Sequence, residues 1–219
     1  MLYIKKGNPP NNLIQYIKIG GKWKISDSSV RNELRESLLE EQNHLCAFCM
    51  SRIKFRGSQI EHWFPRSLSI DNLEFKKLDY NNLFLVCEDN NKSCDTTRTE
   101  RKELSVNPTS ARTIDNIYYE KASGRIRSRS EIEEQDLNIE LNLNGTKKFK
   151  NTKEKFDLHI ENRKKLLYEF RKTLDAMEKS GKKVDLKKLL DNYMNPVNGK
   201  LIPYCGIVAW YIKSKIKTS

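Results

Sequence analysis

Apolar and polar positions along the chain sort it into a helical beginning, an aperiodic middle and a helical end. Between Ser26 and Gln42, Val30, Leu34 and Leu38 recur at four-residue spacing with carboxylates on the opposite face. That pattern predicts an amphipathic helix N-capped by Ser26 or Asp27. A shorter helix is predicted over Asn12 to Ile17, broken by Gly20-Gly21. From Cys46 to about Glu103 no helical period is sustained: CAFCMSRIKF predicts a knuckle, and GSQIEHWF a short strand ending at Pro65. Residues 114 to 128 read as a hairpin around a Ser-Gly turn, while NIELNLN, 138 to 144, alternates as either a strand or an extended loop. Beyond it Phe156, Ile160, Leu167, Phe170, Leu174 and Met177 mark a long amphipathic helix. Two more helices follow, Val184 to Met194 and Ile207 to Ile216, separated by Pro196 and Pro203.

Composition adds bounds rather than detail. With 219 residues, 37% hydrophobic and 32% charged, the chain fits one globular domain or a compact core with a helical extension. No run approaches the roughly 18 apolar residues of a membrane span, and the opening MLYIKKGNPPNN lacks the apolar stretch of a secretory signal. The expected setting is therefore the cytoplasm, with no membrane partner. The net charge of +12 is the electrostatic footprint of a nucleic-acid binder. A solvated basic surface or an anionic protein partner would account for it equally well. Most of the surplus lies in residues 147 to 188, where 15 Lys and Arg face 7 Asp and Glu.

Cysteine usage is more informative. Cys46, Cys49, Cys87 and Cys94 lie within 49 residues, and Cys205 stands apart as an expected free thiol. In a reducing compartment such a cluster reads as metal ligands or as buried apolar thiols. Cys46-Ala-Phe-Cys49 presents two thiolates to one ion, and Cys87 and Cys94 complete a tetrahedral Zn²⁺ set. The second pair has six residues between its cysteines, a looser spacing than that of a zinc ribbon, and a long stretch separates it from the first pair. The fold must fill that gap.

What fills it is Ile60-Glu61-His62-Trp63-Phe64-Pro65, then Tyr80 to Cys87, then Ser93-Cys94-Asp95-Thr96-Thr97-Arg98. This run resembles the HNH, or ββα-metal, endonucleases, whose zinc-bearing members interleave two cysteine pairs with an acidic-His-x-x-Pro strand, an Asn-Leu loop and a Cys-Asn or Cys-His helix start. The resemblance implies an α+β fold: a zinc-stapled ββα-metal core with an N-terminal helix and a C-terminal helical extension. Residues 1–110 would form the nuclease core, and 111–219 the hairpin and basic helical extension.

It also implies roles. His62 is the general base, since imidazole is substantially neutral near pH 7. Glu61 and Asp95 are ligands of a catalytic Mg²⁺ or Mn²⁺, suited to it as hard oxygens, and Asn82 braces the loop. Arg98 stands where the family often has Lys and would hold a phosphate oxygen. Asp95 departs from the usual Asn or His and adds a negative charge. Plainer readings stand beside these: Asn82 as a turn cap, Arg98 as a solvated charge, Trp63 and Phe64 as core, His44 and His159 as structural or surface residues.

The likeness extends through IKKGNPP, EEQNHLCAFC, YYEKASGRI, LNLN and PYCGIVAWYIKS. Together they resemble the PtuB-like subfamily, nuclease partners of a PtuA-like ABC-type ATPase in Septu and certain retron anti-phage systems. The implied function is a metal-dependent endonuclease acting as the toxic effector of a defence complex. Its implied partners are that ATPase and, in a retron, the reverse transcriptase with its RNA-DNA product. Two alternatives remain open at this point: cleavage of cellular RNA such as tRNA, and a non-catalytic zinc module binding nucleic acid or protein.

Overall fold

A computed structural model describes residues 1–65, 77–88, 93–98, 102–146, 158–181 and 183–217. It is an α+β structure with seven α-helices and two small antiparallel sheets among the described residues. No described helix is long and apolar enough to cross a membrane.

Two helices lead into the knuckle. Helix α1 spans Asn11–Lys18 and buries Leu13; α2 spans Ser28–Glu41 and buries Val30, Leu34, Leu38 and Leu39. Of the two candidate caps, Asp27 serves, accepting the Ser29 amide at 2.8 Å. Just past α2 the buried Gln42 donates to the carbonyls of Leu45 (2.8 Å) and Leu85 (2.7 Å) and accepts from the Leu85 amide (2.7 Å). One amide side chain thus ties the helix end to both the knuckle and the sheet.

That sheet pairs β1 (Ser58–His62) with β2 (Leu83–Cys87), in register from Ser58↔Cys87 to His62↔Leu83. Every residue of β2 is buried, which suits a central apolar run, whereas β1 buries only its two ends. The second sheet pairs β3 (Ile117–Tyr119) with β4 (Ile126–Ser128). Its turn carries Gly124 at φ +75°, where a Cβ would meet the Ile160 carbonyl at 2.9 Å, so glycine lets the turn lie against the next long helix.

Local chemistry overrides the pattern at three places. Residues 114 to 116 belong to helix α3 (Ala111–Asn116) rather than to the hairpin, because Ser110 caps the Thr113 amide and starts a turn there. The NIELNLN run is neither strand nor loop at its start. Helix α4 (Glu131–Gln135) continues as a π-turn over Asp136–Glu140, with Leu137 and Leu141 buried four residues apart. The helix expected to begin at Cys94 is a single 3₁₀ turn, Cys94–Thr97. Cys94 is left-handed at φ +55°, and the hydroxyls of Thr96 and Thr97 bond back to the carbonyls of Ser93 (2.8 Å) and Cys94 (3.2 Å), competing with helix propagation.

The remaining helices are α5 (Leu158–Lys179), α6 (Leu186–Tyr193) and α7 (Gly206–Ile216). Phe156 and the basic residues 147–157 lie outside the described residues. The buried core is continuous across residue 110, and the last segment returns to the knuckle: the Tyr204 amide donates to the Met50 carbonyl at 2.9 Å, and Arg52 Nη2 to the Leu201 carbonyl.

Candidate metal centre and strand-end site

The knuckle is a tight turn in which the Cys46 amide donates to the Ser51 carbonyl (2.9 Å) and the Met50 amide to the Cys46 carbonyl (3.1 Å). Asn43, His44, Met50 and Cys94 all adopt positive φ around it, a conformation non-glycine residues keep only where the surroundings over-determine it. The result brings Cys46 Sγ to 3.8 Å from Cys94 Sγ and Cys49 Sγ to 3.7 Å from Cys87 Sγ. All four sulfurs lie within 4.8 Å of one another, and all four cysteines are buried without a disulfide. A tetrahedral ion with Zn–S bonds of about 2.3 Å has edges of about 3.8 Å, so the four thiols fit a single metal ion such as Zn²⁺. Cys205 is also buried and free, its thiol pushed up to about 11 by burial.

Charge around this cluster is arranged by the C-terminal helices. Burial pushes the Cys94 thiol up, as do its hydrogen bonds with the other three cysteines. Burial pushes the Cys49 thiol the same way, but hydrogen bonds from the other three cysteines outweigh it and hold that thiol low. Four thiolates around a divalent ion carry two net negative charges. The Arg163 guanidinium, fully buried at 0% exposure, provides a nearby positive one. Burial disfavours its charge, and Tyr119, Cys49, Tyr204 and Cys94 oppose that effect. Arg163 also donates to the carbonyls of Gly124 and Leu143, each at 2.8 Å. Beside it His159 joins Tyr204 Oη (3.1 Å) to Ser93 Oγ (2.8 Å), and Ser93 Oγ lies 3.8 Å from Cys94 Sγ. The sequence reading gives His159 no part in the site, because its partner Ser93 is 66 residues away and no local pattern links them.

From the cluster the turn Cys94–Thr97 runs along β1. Asp95 Oδ2 accepts from Gln59 Nε2 at 2.6 Å; three residues on, Arg98 Nη1 lies 3.0 Å from Glu61 Oε1. Gln59 and Glu61 are two residues apart and occupy one face of the strand, so the contacts of Asp95 and Arg98 fall on that face. Arg98 also donates to the carbonyls of His62 and Trp63, and its side chain is only 3% exposed. Burial disfavours the Arg98 charge, and Glu61, Asp95, Asp136 and Glu140 sustain it. Instead of standing open to a phosphate, Arg98 braces the strand end.

His62 closes β1 and is 2% exposed. Its Nε2 is 2.9 Å from the Lys77 carbonyl, and the Trp23 ring packs edge-on with centroids 4.1 Å apart. A carbonyl only accepts, so Nε2 carries the proton of the neutral ring and Nδ1 the lone pair. Asn82 accepts from the Phe64 amide (2.6 Å) and donates to the Phe64 carbonyl (3.2 Å), while its own carbonyl takes the Trp63 amide at 3.0 Å. Trp63 Nε1 bonds the Val106 carbonyl at 3.0 Å. Gln59, Trp23 and the Lys77 carbonyl are site elements that no sequence motif marks. Among the described residues the four cysteines are the one group of three or more His, Cys, Asp or Glu side chains placed to share an ion; Glu61, His62 and Asp95 do not form a second. Comparison with protein-family models and with curated proteins gives no match for this chain.

Proposed function

We propose that this chain is a metal-dependent endonuclease of the HNH type, acting on nucleic-acid phosphodiesters. The observation that carries the reading is the strand end. There an imidazole oriented through Nε2 by a backbone carbonyl follows directly on Glu61, and Asp95 lies beside the same strand. His62 Nδ1 accepts a proton from water as that water attacks phosphorus. Asn82 keeps the loop after His62 in register with β2, which fixes the direction of the ring. Glu61 and Asp95, bonded here to Arg98 and Gln59, are the residues that would hold a hard divalent cation, Mg²⁺ or Mn²⁺. When bound, that ion supplies charge stabilisation at the phosphate and the leaving oxygen. Cys46, Cys49, Cys87 and Cys94 would hold Zn²⁺, whose role would be structural: to fix the turn that carries Asp95 beside β1.

The sequence resemblance extends this reading to an anti-phage effector of the PtuB-like kind, held in a complex with an ABC-type ATPase and, in a retron, with reverse transcriptase and its RNA-DNA product. A second reading has its own support. The burial of His62 and the Glu61–Arg98 ion pair also suit a non-catalytic zinc module that binds nucleic acid or protein. Cellular RNA, tRNA included, is as good a substrate as DNA, because such a site grips a phosphodiester without reading the sugar. Metal titration separates these readings. Glu61→Ala and Asp95→Ala should lower cleavage and regain part of it in excess Mg²⁺ or Mn²⁺, and Asp95→Asn should stay active at higher metal demand. Cleavage by both alanine variants at the wild-type metal midpoint would remove the carboxylates from the mechanism.

A further inference from the structure

The hairpin turn and helix α5 enclose a groove of about 370 Å³, lined by Lys121, Lys164, Lys165, Arg171, Tyr168 and Glu161 among others. Its walls are fixed to each other. Arg163 Nε donates to the Gly124 carbonyl at 2.8 Å, and Gly124 approaches α5 so closely that a Cβ would lie 3.0 Å from the Lys164 nitrogen. Lys121 on the turn and Arg171 on the helix both lean on the Tyr211 ring, at 5.4 Å and 5.8 Å from its centroid. Four cations thus converge on one concave wall. Among the described residues none of them forms an ion pair with a carboxylate. Such a gathering of like charge is unfavourable unless an anion answers it.

We propose that this groove binds the backbone of single-stranded nucleic acid, a grip that rests on the nuclease reading only in treating the bound strand as substrate. Lys164, Tyr168 and Arg171 follow one helical face, and Lys164 to Arg171 spans about 10 Å at 1.5 Å per residue. That is about three steps of a stacked strand at about 3.4 Å each. Tyr168, 63% exposed in the middle of this face, offers a ring on which a base stacks between phosphate contacts. Lys164 is five residues, about 7.5 Å of helix rise, from His159, which touches Ser93 two residues before Asp95.

The test is fluorescence anisotropy of labelled 20-nucleotide single-stranded RNA and DNA with the full chain, without added divalent cation so that nothing is cleaved. The triple variant Lys164→Glu, Lys165→Glu, Arg171→Glu should weaken binding by more than about tenfold. It should also flatten the salt dependence by about 2 in slope, at about 0.7 for each phosphate no longer neutralised. Tyr168→Ala should weaken binding by about fivefold or more with the salt slope unchanged. Melting curves confirm folding, and Lys121→Ala with Lys164→Ala replaces the triple variant if it is unfolded. The control Lys183→Glu, Lys187→Glu, Lys188→Glu reverses as much charge on α6 and just before it. If the control loses as much affinity as the groove variant, if wild type fails to bind, or if polyglutamate competes as well as the oligonucleotide, the proposal is overturned. Cleavage that survives His62→Ala would strike the nuclease reading and leave this binding result standing.

Discussion

The two ends of the β1–β2 ladder are held by different means. At the Ser58↔Cys87 end, four soft ligands are brought together by backbone turns, their sulfurs 3.7–3.8 Å apart in the closest pairs. Along the strand toward His62↔Leu83, hard oxygen groups are present but are bonded to protein groups: Asp95 to Gln59, next to the cysteine end, and Glu61 to Arg98, next to His62. Backbone turns alone can preorganise thiols that sit on them. Two carboxylates, one on a strand face and one on a neighbouring turn, are held by a cation and an amide, bonds that would have to exchange in the proposed function. The turn from Cys94 to Arg98 connects the two, so the cysteine cluster sets where Asp95 and Arg98 meet the strand.

Breaking the soft end should have the largest effect. Cys94→Ser, or zinc removal by a chelator, should lower the thermal midpoint by more than about 10 °C or abolish the cooperative transition, since structural zinc contributes about 10–16 kcal/mol in small domains. Acid should act in the same direction, because protons compete with the metal for thiolates. Elemental analysis should find one zinc per wild-type chain; less than half an equivalent in folded protein contradicts the assignment.

At the hard end, Arg98→Met removes the ion pair with Glu61 and the Arg98 bonds to the His62 and Trp63 carbonyls. Urea unfolding should show a loss of about 3 kcal/mol with zinc retained. A loss below about 0.5 kcal/mol would return Arg98 to the phosphate-facing role that the family resemblance implied. Asn82→Ala removes two bonds to the Phe64 backbone and should cost about 2 kcal/mol by the same measurement; an unchanged urea midpoint would reduce Asn82 to a turn residue.

The contrast also explains what is legible in the sequence. Helix α2, the knuckle and the end of β1 announce themselves locally, through a four-residue period, a two-residue cysteine spacing and Pro65. The Gln59–Asp95, Arg98–Glu61 and His159–Ser93 pairs span 36, 37 and 66 residues, and nothing in either short segment encodes its partner. Arg98 in particular reads as a surface cation because arginine is rarely buried unless paired, and its partners are three backbone carbonyls and a carboxylate on β1. The π-turn at Asp136 escapes for a different reason: alternation over NIELNLN mimics a strand, while Asp136 is held by Lys102 at 3.1 Å and the Val106 amide at 3.2 Å, groups 30 and more residues away in the chain.

The central claim is that His62 is a base and not a packing residue. Its direct test is cleavage of DNA and RNA by wild type and His62→Ala, assayed with the ABC-type ATPase proposed as its partner and under conditions in which the wild type is active. The account predicts a fall of about 10² to 10⁴ in rate with zinc content and melting temperature unchanged, and no recovery in added Mg²⁺ or Mn²⁺. Cleavage by His62→Ala at the wild-type rate would contradict it and leave the zinc module as the better description.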